Sequence, residues 1–116
     1  ITELIIGSAY EVANILGSGF LEKVYENALF LELIQKGLQV DRQKRIDVLY
    51  KGEVVGEYYA DLLVNNDIIL ELKAVKSIES IHIAQCLNYL KATEKKIGLI
   101  INFGNPRIQI KRIIND

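Results

Sequence analysis

Two acidic residues and a lysine form the pattern in this sequence that is best suited to catalysis. Asp61 lies one strand-like segment before the motif Glu71-Leu72-Lys73. Two carboxylates that face each other suit a hard divalent cation such as Mg²⁺ or Mn²⁺, which prefers oxygen ligands, and the Leu72 carbonyl would add another oxygen. The pattern therefore indicates a divalent-cation site. The alternative is a salt bridge from Lys73 to either acid on a solvated sheet face.

A predicted hairpin brings these residues together. Apolar residues alternate over 54–64 and 68–75, which predicts two strands. Their apolar faces coincide only if the loop is Asn65-Asn66-Asp67, so that Val64 pairs with Ile68. This register places Asp61 opposite Glu71, with Lys73 on the same face. The predicted apolar faces are Tyr58, Ala60, Leu62 and Val64 in the first strand and Ile68, Leu70, Leu72 and Ala74 in the second.

Helices and further strands must position the hairpin. Apolar residues recur at helical spacing over 4–16, 20–36 and 81–92, and Ser80 is the predicted cap of the last helix. The order α-α-β-β-β-α-β-(β) predicts an α/β (α+β) fold, in which helices flank a central mixed sheet of about four or five strands. Besides the hairpin, strands are predicted over 40–50, 97–103 and, at an edge, 107–114.

Composition limits the possible classes of protein. The chain has 116 residues, of which 50% are hydrophobic and 25% charged, with a net charge of −1. These values are typical of a globular protein and exclude a disordered one, so we expect a single domain over 1–116. No apolar run is long enough for a membrane span. One cysteine and one histidine allow neither an internal disulfide nor the usual zinc site, and a reduced, cytoplasmic setting is expected.

The order of motifs resembles the PD-(D/E)xK nuclease superfamily. Asp61 followed by Glu71-Leu72-Lys73 matches its signature, with Ala60 where the signature has proline. Residues 19–25 match G-x-x-E-x-x-Y, the motif that names the small bacterial GxxExxY protein family, which is grouped with that superfamily. Residues 85–89 match the Q-x-x-x-Y motif of RecB-like nucleases. The likeness covers nearly the whole chain and implies a restriction-endonuclease-like core.

The resemblance also implies a set of metal ligands. Asp61, Glu71 and the Leu72 carbonyl would hold Mg²⁺, with Mn²⁺ as a substitute, and Glu22 would approach from the second helix. The structural alternative for Glu22 is a capping role, with Gly19 as N-cap and Glu22 in the first turn.

The resemblance assigns further roles to the third helix. Gln85 and Tyr89 lie four residues apart and therefore share a helix face. In the superfamily such residues hold the catalytic lysine, here Lys73, or a DNA phosphate. The alternative is an ordinary packed helix with polar tips. His82 lies near the same face, and we expect it to be structural or exposed.

The resemblance implies a metal-dependent nuclease that hydrolyses phosphodiester bonds. DNA is the expected substrate, although the residues do not separate DNA from RNA, and the chain is a candidate homodimer. One alternative is a non-catalytic module that retains the fold and binds nucleic acid or a protein. A further alternative, ranked last, is a phosphodiesterase that acts on a small molecule. Three groups of basic residues are candidate phosphate contacts or solvated charges, namely Arg42, Lys44 and Arg45, then Lys91, Lys95 and Lys96, and lastly Arg107, Lys111 and Arg112.

Overall fold

The computed structural model describes residues 1–116 and contains three helices and five strands. This order confirms the predicted sequence of elements, including the last edge strand. In chain order the elements are α1 (Thr2–Leu16), α2 (Glu22–Gln35), β1 (Val40–Tyr50), β2 (Glu53–Val64), β3 (Ile68–Lys73), α3 (Ser80–Thr93), β4 (Ile97–Asn102) and β5 (Gln109–Ile114).

The strands form one mixed sheet in the order β1-β2-β3-β4-β5. Strands β3 and β4 are parallel, and the other neighbouring pairs are antiparallel. Helix α3 connects the two parallel strands, as a parallel connection requires. The predicted mixed sheet flanked by helices is thus confirmed.

Two apolar cores cover opposite faces of the sheet. Leu70 and Leu99 belong to the core that α1 and α2 complete, whereas their neighbours Ile69 and Ile100 belong to the core that α3 completes. Alternate residues of a strand point to opposite faces, so β3 and β4 can be buried on both sides. Strands β3 and β4 are therefore packed against helices on both faces.

The faces of β2 change partway along the strand. Leu62 packs into the α1–α2 core, but Ala60 packs into the α3 core. The prediction that one face carries all four alternating residues was therefore wrong. The change occurs at Asp61, which lies across from Gln43 of β1, and Gln43 has a φ of 48°. The prediction that this change overturns placed four residues on one face of β2, namely Tyr58, Ala60, Leu62 and Val64.

The helix ends also differ from the prediction. The N-cap of α2 is Leu21 rather than Gly19, and the N-cap of α3 is Glu79 rather than Ser80. Glu79 and His82 form a reciprocal capping box, which gives His82 a structural role. None of the helices has the length and apolar character that a membrane crossing requires.

The segment after β3 is fixed against the end of β4. Asn102 is fully buried, and its side chain accepts a hydrogen bond from the Val75 N–H at 3.0 Å and donates one to the Val75 carbonyl at 2.9 Å. Gly104 lies so close to Val75 that a Cβ atom there would overlap the Val75 backbone. This packing fixes the chain just beyond Lys73.

We predict that Gly104→Ala lowers the free energy of unfolding by about 1–3 kcal/mol, because the added methyl group displaces the Val75 backbone. Gly7→Ala is the matched control, since nothing lies near its Cβ position in α1. That control should raise the free energy of unfolding by up to about 1 kcal/mol. Urea denaturation measures both values, and equal effects of the two substitutions would contradict the packing described here.

Candidate active site

The site lies where strands β2 and β3 stop pairing. Val64 pairs with Ile68, as predicted, and the paired positions end at Leu62 and Leu70. Beyond that point β2 remains paired with β1, and β3 remains paired with β4. A gap therefore opens between two strands that are each supported on their other side.

Two carboxylates occupy this gap. The Asp61 N–H donates a hydrogen bond to Oε2 of Glu71 at 3.3 Å, and the Leu72 N–H donates one to Oδ2 of Asp61 at 2.8 Å. At this point, side-chain oxygens take the place of backbone carbonyls as the hydrogen-bond acceptors between β2 and β3. The two acids lie across from each other, as the predicted register requires.

Burial makes this pair of acids electrostatically unfavourable. Only 7% of Glu71 is exposed, and burial together with the charge of Asp61 raises the pKa of Glu71 to about 7, although nearby Lys73 opposes the shift. Burial, with the charges of Glu26 and Glu22, raises the pKa of Asp61 as well. A positive charge between the two carboxylates would stabilise their ionised forms.

The Leu72 carbonyl and the Lys73 side chain lie at the same gap. The Lys73 carbonyl accepts a hydrogen bond from the Phe103 N–H at 2.8 Å, towards the β4 side. Backbone groups of successive strand residues point to opposite edges, so the Leu72 carbonyl faces the β2 side, near Asp61. Lys73 is partly exposed and forms no ion pair, which leaves its ammonium group available to a ligand.

Glu22 reaches the end of β3 from the first turn of α2. Its Oε2 accepts a hydrogen bond from the Ala74 N–H at 3.3 Å, and its side chain caps no helical N–H. The capping role considered for Glu22 is therefore absent. The exposed Glu22 carboxylate lies at the rim of the site and adds to its negative charge.

The two residues predicted on α3 differ in their surroundings. Tyr89 stacks on Tyr58 of β2, and the buried Tyr58 hydroxyl lies close to the Glu71 carboxylate without forming a hydrogen bond of standard geometry. Burial and the charge of Glu71 raise the pKa of both tyrosines, so the stack lies beside that carboxylate. Gln85 is exposed and forms no side-chain hydrogen bond, and in particular none to Lys73. The structure thus brings Tyr89 to the Glu71 carboxylate, whereas Gln85 has no hydrogen-bond partner.

Sequence reasoning missed Glu26 and Gln43. Glu26 is buried with 4% exposed, and its Oε1 accepts a hydrogen bond from Gln43 at 2.9 Å. The Gln43 amide also lies 3.4 Å from Oδ1 of Asp61. One sequence signal pointed to Glu26, which follows Glu22 by one helical turn and therefore shares its face of α2.

The donor atoms fit a hard cation, although they do not form a preassembled centre. No three His, Cys, Asp or Glu side chains cluster closely enough to hold a metal ion. Asp61 and Glu71 instead accept backbone N–H groups, and both have raised pKa values because they are buried together. Oxygen donors of this kind, with the Leu72 carbonyl beside them, match the preference of Mg²⁺.

The sequence matches the family model of the PD-(D/E)XK nuclease superfamily over residues 1–113, and the chain belongs to that superfamily. Nucleases of this superfamily generally use divalent metals and act on nucleic acid. No curated protein matches the sequence.

Two solved structures share the fold. SSO0001 is 20% identical with a TM-score of 0.60, over 98% of this chain and 57% of that one. An alkaline exonuclease, LHK-Exo from Laribacter hongkongensis, is 14% identical with a TM-score of 0.55, over 100% of this chain and 83% of that one. This chain therefore spans little more than half the length of SSO0001. At these identities the likeness concerns the fold.

We predict that Glu71→Gln stabilises the metal-free protein at alkaline pH. The pKa of Glu71 rises from 4.5 to about 7 on folding, so the folded chain retains a proton that the unfolded chain releases. The associated stability is present below about pH 4.5 and is lost as the pH rises to about 7, a change on the order of 3 kcal/mol. Glutamine stays neutral and avoids this loss.

Urea denaturation in EDTA at about pH 4.5 and pH 8 measures the effect. The control is Glu53→Gln, because Glu53 is exposed and forms no ion pair. A stability difference between Glu71→Gln and wild type that is the same at both pH values would contradict the assigned pKa shift.

Proposed function

We propose that this protein is a metal-dependent nuclease that hydrolyses phosphodiester bonds, with DNA as its substrate. The observation that carries the proposal is the pair of adjacent carboxylates, Asp61 and Glu71, with Lys73 two residues further along the same strand. Membership of the PD-(D/E)XK nuclease superfamily supports nucleic acid as the substrate. A structure with the same fold, LHK-Exo, is itself an alkaline exonuclease.

Four residues would hold the cation, which we propose is Mg²⁺ or, in its place, Mn²⁺. Asp61 and Glu71 supply carboxylate oxygens, Leu72 supplies its carbonyl, and Glu22 supplies a further carboxylate at the rim. When bound, such a cation lowers the pKa of a coordinated water and neutralises negative charge on the phosphate.

The side chains of the protein have separate roles in this proposal. Lys73, whose ammonium group has no ion-pair partner, would donate hydrogen bonds to the attacking water and to the developing charge on the phosphate. The Asp61 N–H orients the Glu71 carboxylate. The stacked Tyr58 and Tyr89 shield the Glu71 side from bulk water. The exposed Gln85 would contact a phosphate of the bound strand.

We predict that Lys73→Ala lowers the cleavage rate about 100-fold or more, because the reacting phosphate loses its positively charged hydrogen-bond donor. Lys76→Ala is the matched control, since Lys76 is exposed and lies three residues after Lys73, beyond the end of β3. The assay follows end-labelled single-stranded DNA, duplex DNA and RNA with Mg²⁺, with Mn²⁺ and with EDTA.

Undiminished cleavage by Lys73→Ala, or cleavage by wild type in EDTA, would contradict the proposed mechanism. If the folded wild-type protein cleaves none of the substrates with either metal, the non-catalytic binding module becomes the better account. Cleavage of RNA alone would keep the nuclease and replace DNA as the substrate.

A further inference from the structure

We propose that Gln43 is a positioning residue that holds the Asp61 carboxylate in place for the cation, and that buried Glu26 anchors it. The inference rests on the proposed function, in which Asp61 is a metal ligand. It concerns a strand, β1, that carries none of the residues of the superfamily signature.

The backbone of Gln43 is unusual. Its φ of 48° lies in the left-handed region, which is unfavourable for a residue with a side chain. The other non-glycine residues with positive φ lie in turns or at a helix end, so Gln43 is the only one inside a strand. Such conformations persist where the surrounding structure imposes them, often at functional sites. The others are Lys51, Asn65, Asn66 and Glu94.

The unusual backbone lies directly across from Asp61. Strand β1 pairs Arg42 with Leu62 and Lys44 with Ala60, and the positions between them, Gln43 and Asp61, are left out of the register. The interruption thus coincides with the point where β2 changes faces and where β2 separates from β3. If β1 were regular at Gln43, side chains on both sides of this point would keep alternating between the same two faces of the sheet.

The side chain of Gln43 connects two carboxylates. Its Nε2 lies 2.9 Å from Oε1 of Glu26 and 3.4 Å from Oδ1 of Asp61, and an amide nitrogen has two hydrogens to donate. Because the Leu72 N–H is bonded to Oδ2, both oxygens of Asp61 have a partner. An acidic residue in place of Gln43 would put a third negative charge between the two acids.

Glu26 is suited to be the anchor because its own charge is compensated. Lys23 lies 3.0 Å from Oε2, and the Arg42 guanidinium lies 3.6 Å from the same oxygen. The carboxylate is buried between these cations, which leaves Oε1 to receive the Gln43 amide. Glu26 therefore holds the Gln43 amide, and the same amide contacts Asp61.

The test uses Mn²⁺ alone as the probe and electron paramagnetic resonance to measure its dissociation constant. Gln43→Met keeps the length of the side chain but lacks the amide. Gln43→Gly also lacks the amide, and glycine adopts a positive φ without steric cost. Gln35→Met is the control, since Gln35 is exposed at the end of α2. Loss of a residue that orients a metal ligand weakens metal binding about 10–100-fold. We expect this loss in both Gln43 variants. Gln43→Gly should have a higher melting temperature than Gln43→Met, because both lack the amide and only glycine adopts the positive φ without cost.

A second measurement needs no metal. Thermal unfolding of Gln43→Met, Asp61→Ala and the double variant in EDTA forms a double-mutant cycle, and we expect the two changes to be non-additive. Additive effects, or Mn²⁺ affinity unchanged in folded Gln43→Gly, would overturn the positioning role. If wild type binds no Mn²⁺, the proposed metal-dependent function fails, while a non-additive cycle would still support the contact between Gln43 and Asp61.

Discussion

Burial of the Asp61 and Glu71 carboxylates in the gap between β2 and β3 is the constraint on which the candidate site depends. Each accepts a backbone N–H from the other strand, so the acids themselves close the ladder where the strands separate. Burial disfavours the charged form of each acid, which raises both pKa values. A cation beside the two acids would favour their ionised forms.

The apolar cores supply the rigidity that this arrangement needs. Residues on both faces of β3 are fully covered, by α1 and α2 on one side and by α3 on the other. The first turn of α2 carries Glu22 to the Ala74 backbone, and Asn102 of β4 fixes Val75 just beyond it. The packed cores thus fix the strands that carry the two acids.

Much of the fold was predictable because alternation and helical spacing report directly on burial. Matching the two apolar faces fixed the loop after Val64, and that register alone placed Asp61 across from Glu71. The change of faces at Asp61 was not predictable, because alternation assumes a regular strand and Gln43 is not regular. The contacts of Glu26 were not predictable, since only the folded chain brings Gln43 and Arg42 against it. For Gln85, helical spacing predicted the face of α3 on which it lies but could not predict its contacts.

Titration of the Glu71 carboxyl carbon by nuclear magnetic resonance tests the central claim most directly. Without metal, its resonance should follow a pKa of about 7, well above the ordinary value of 4.5. With saturating Mg²⁺, the apparent pKa should fall below the ordinary value, because the bound cation favours the ionised carboxylate. A titration curve for Glu71 that is the same with and without Mg²⁺ would contradict a cation site between Asp61 and Glu71.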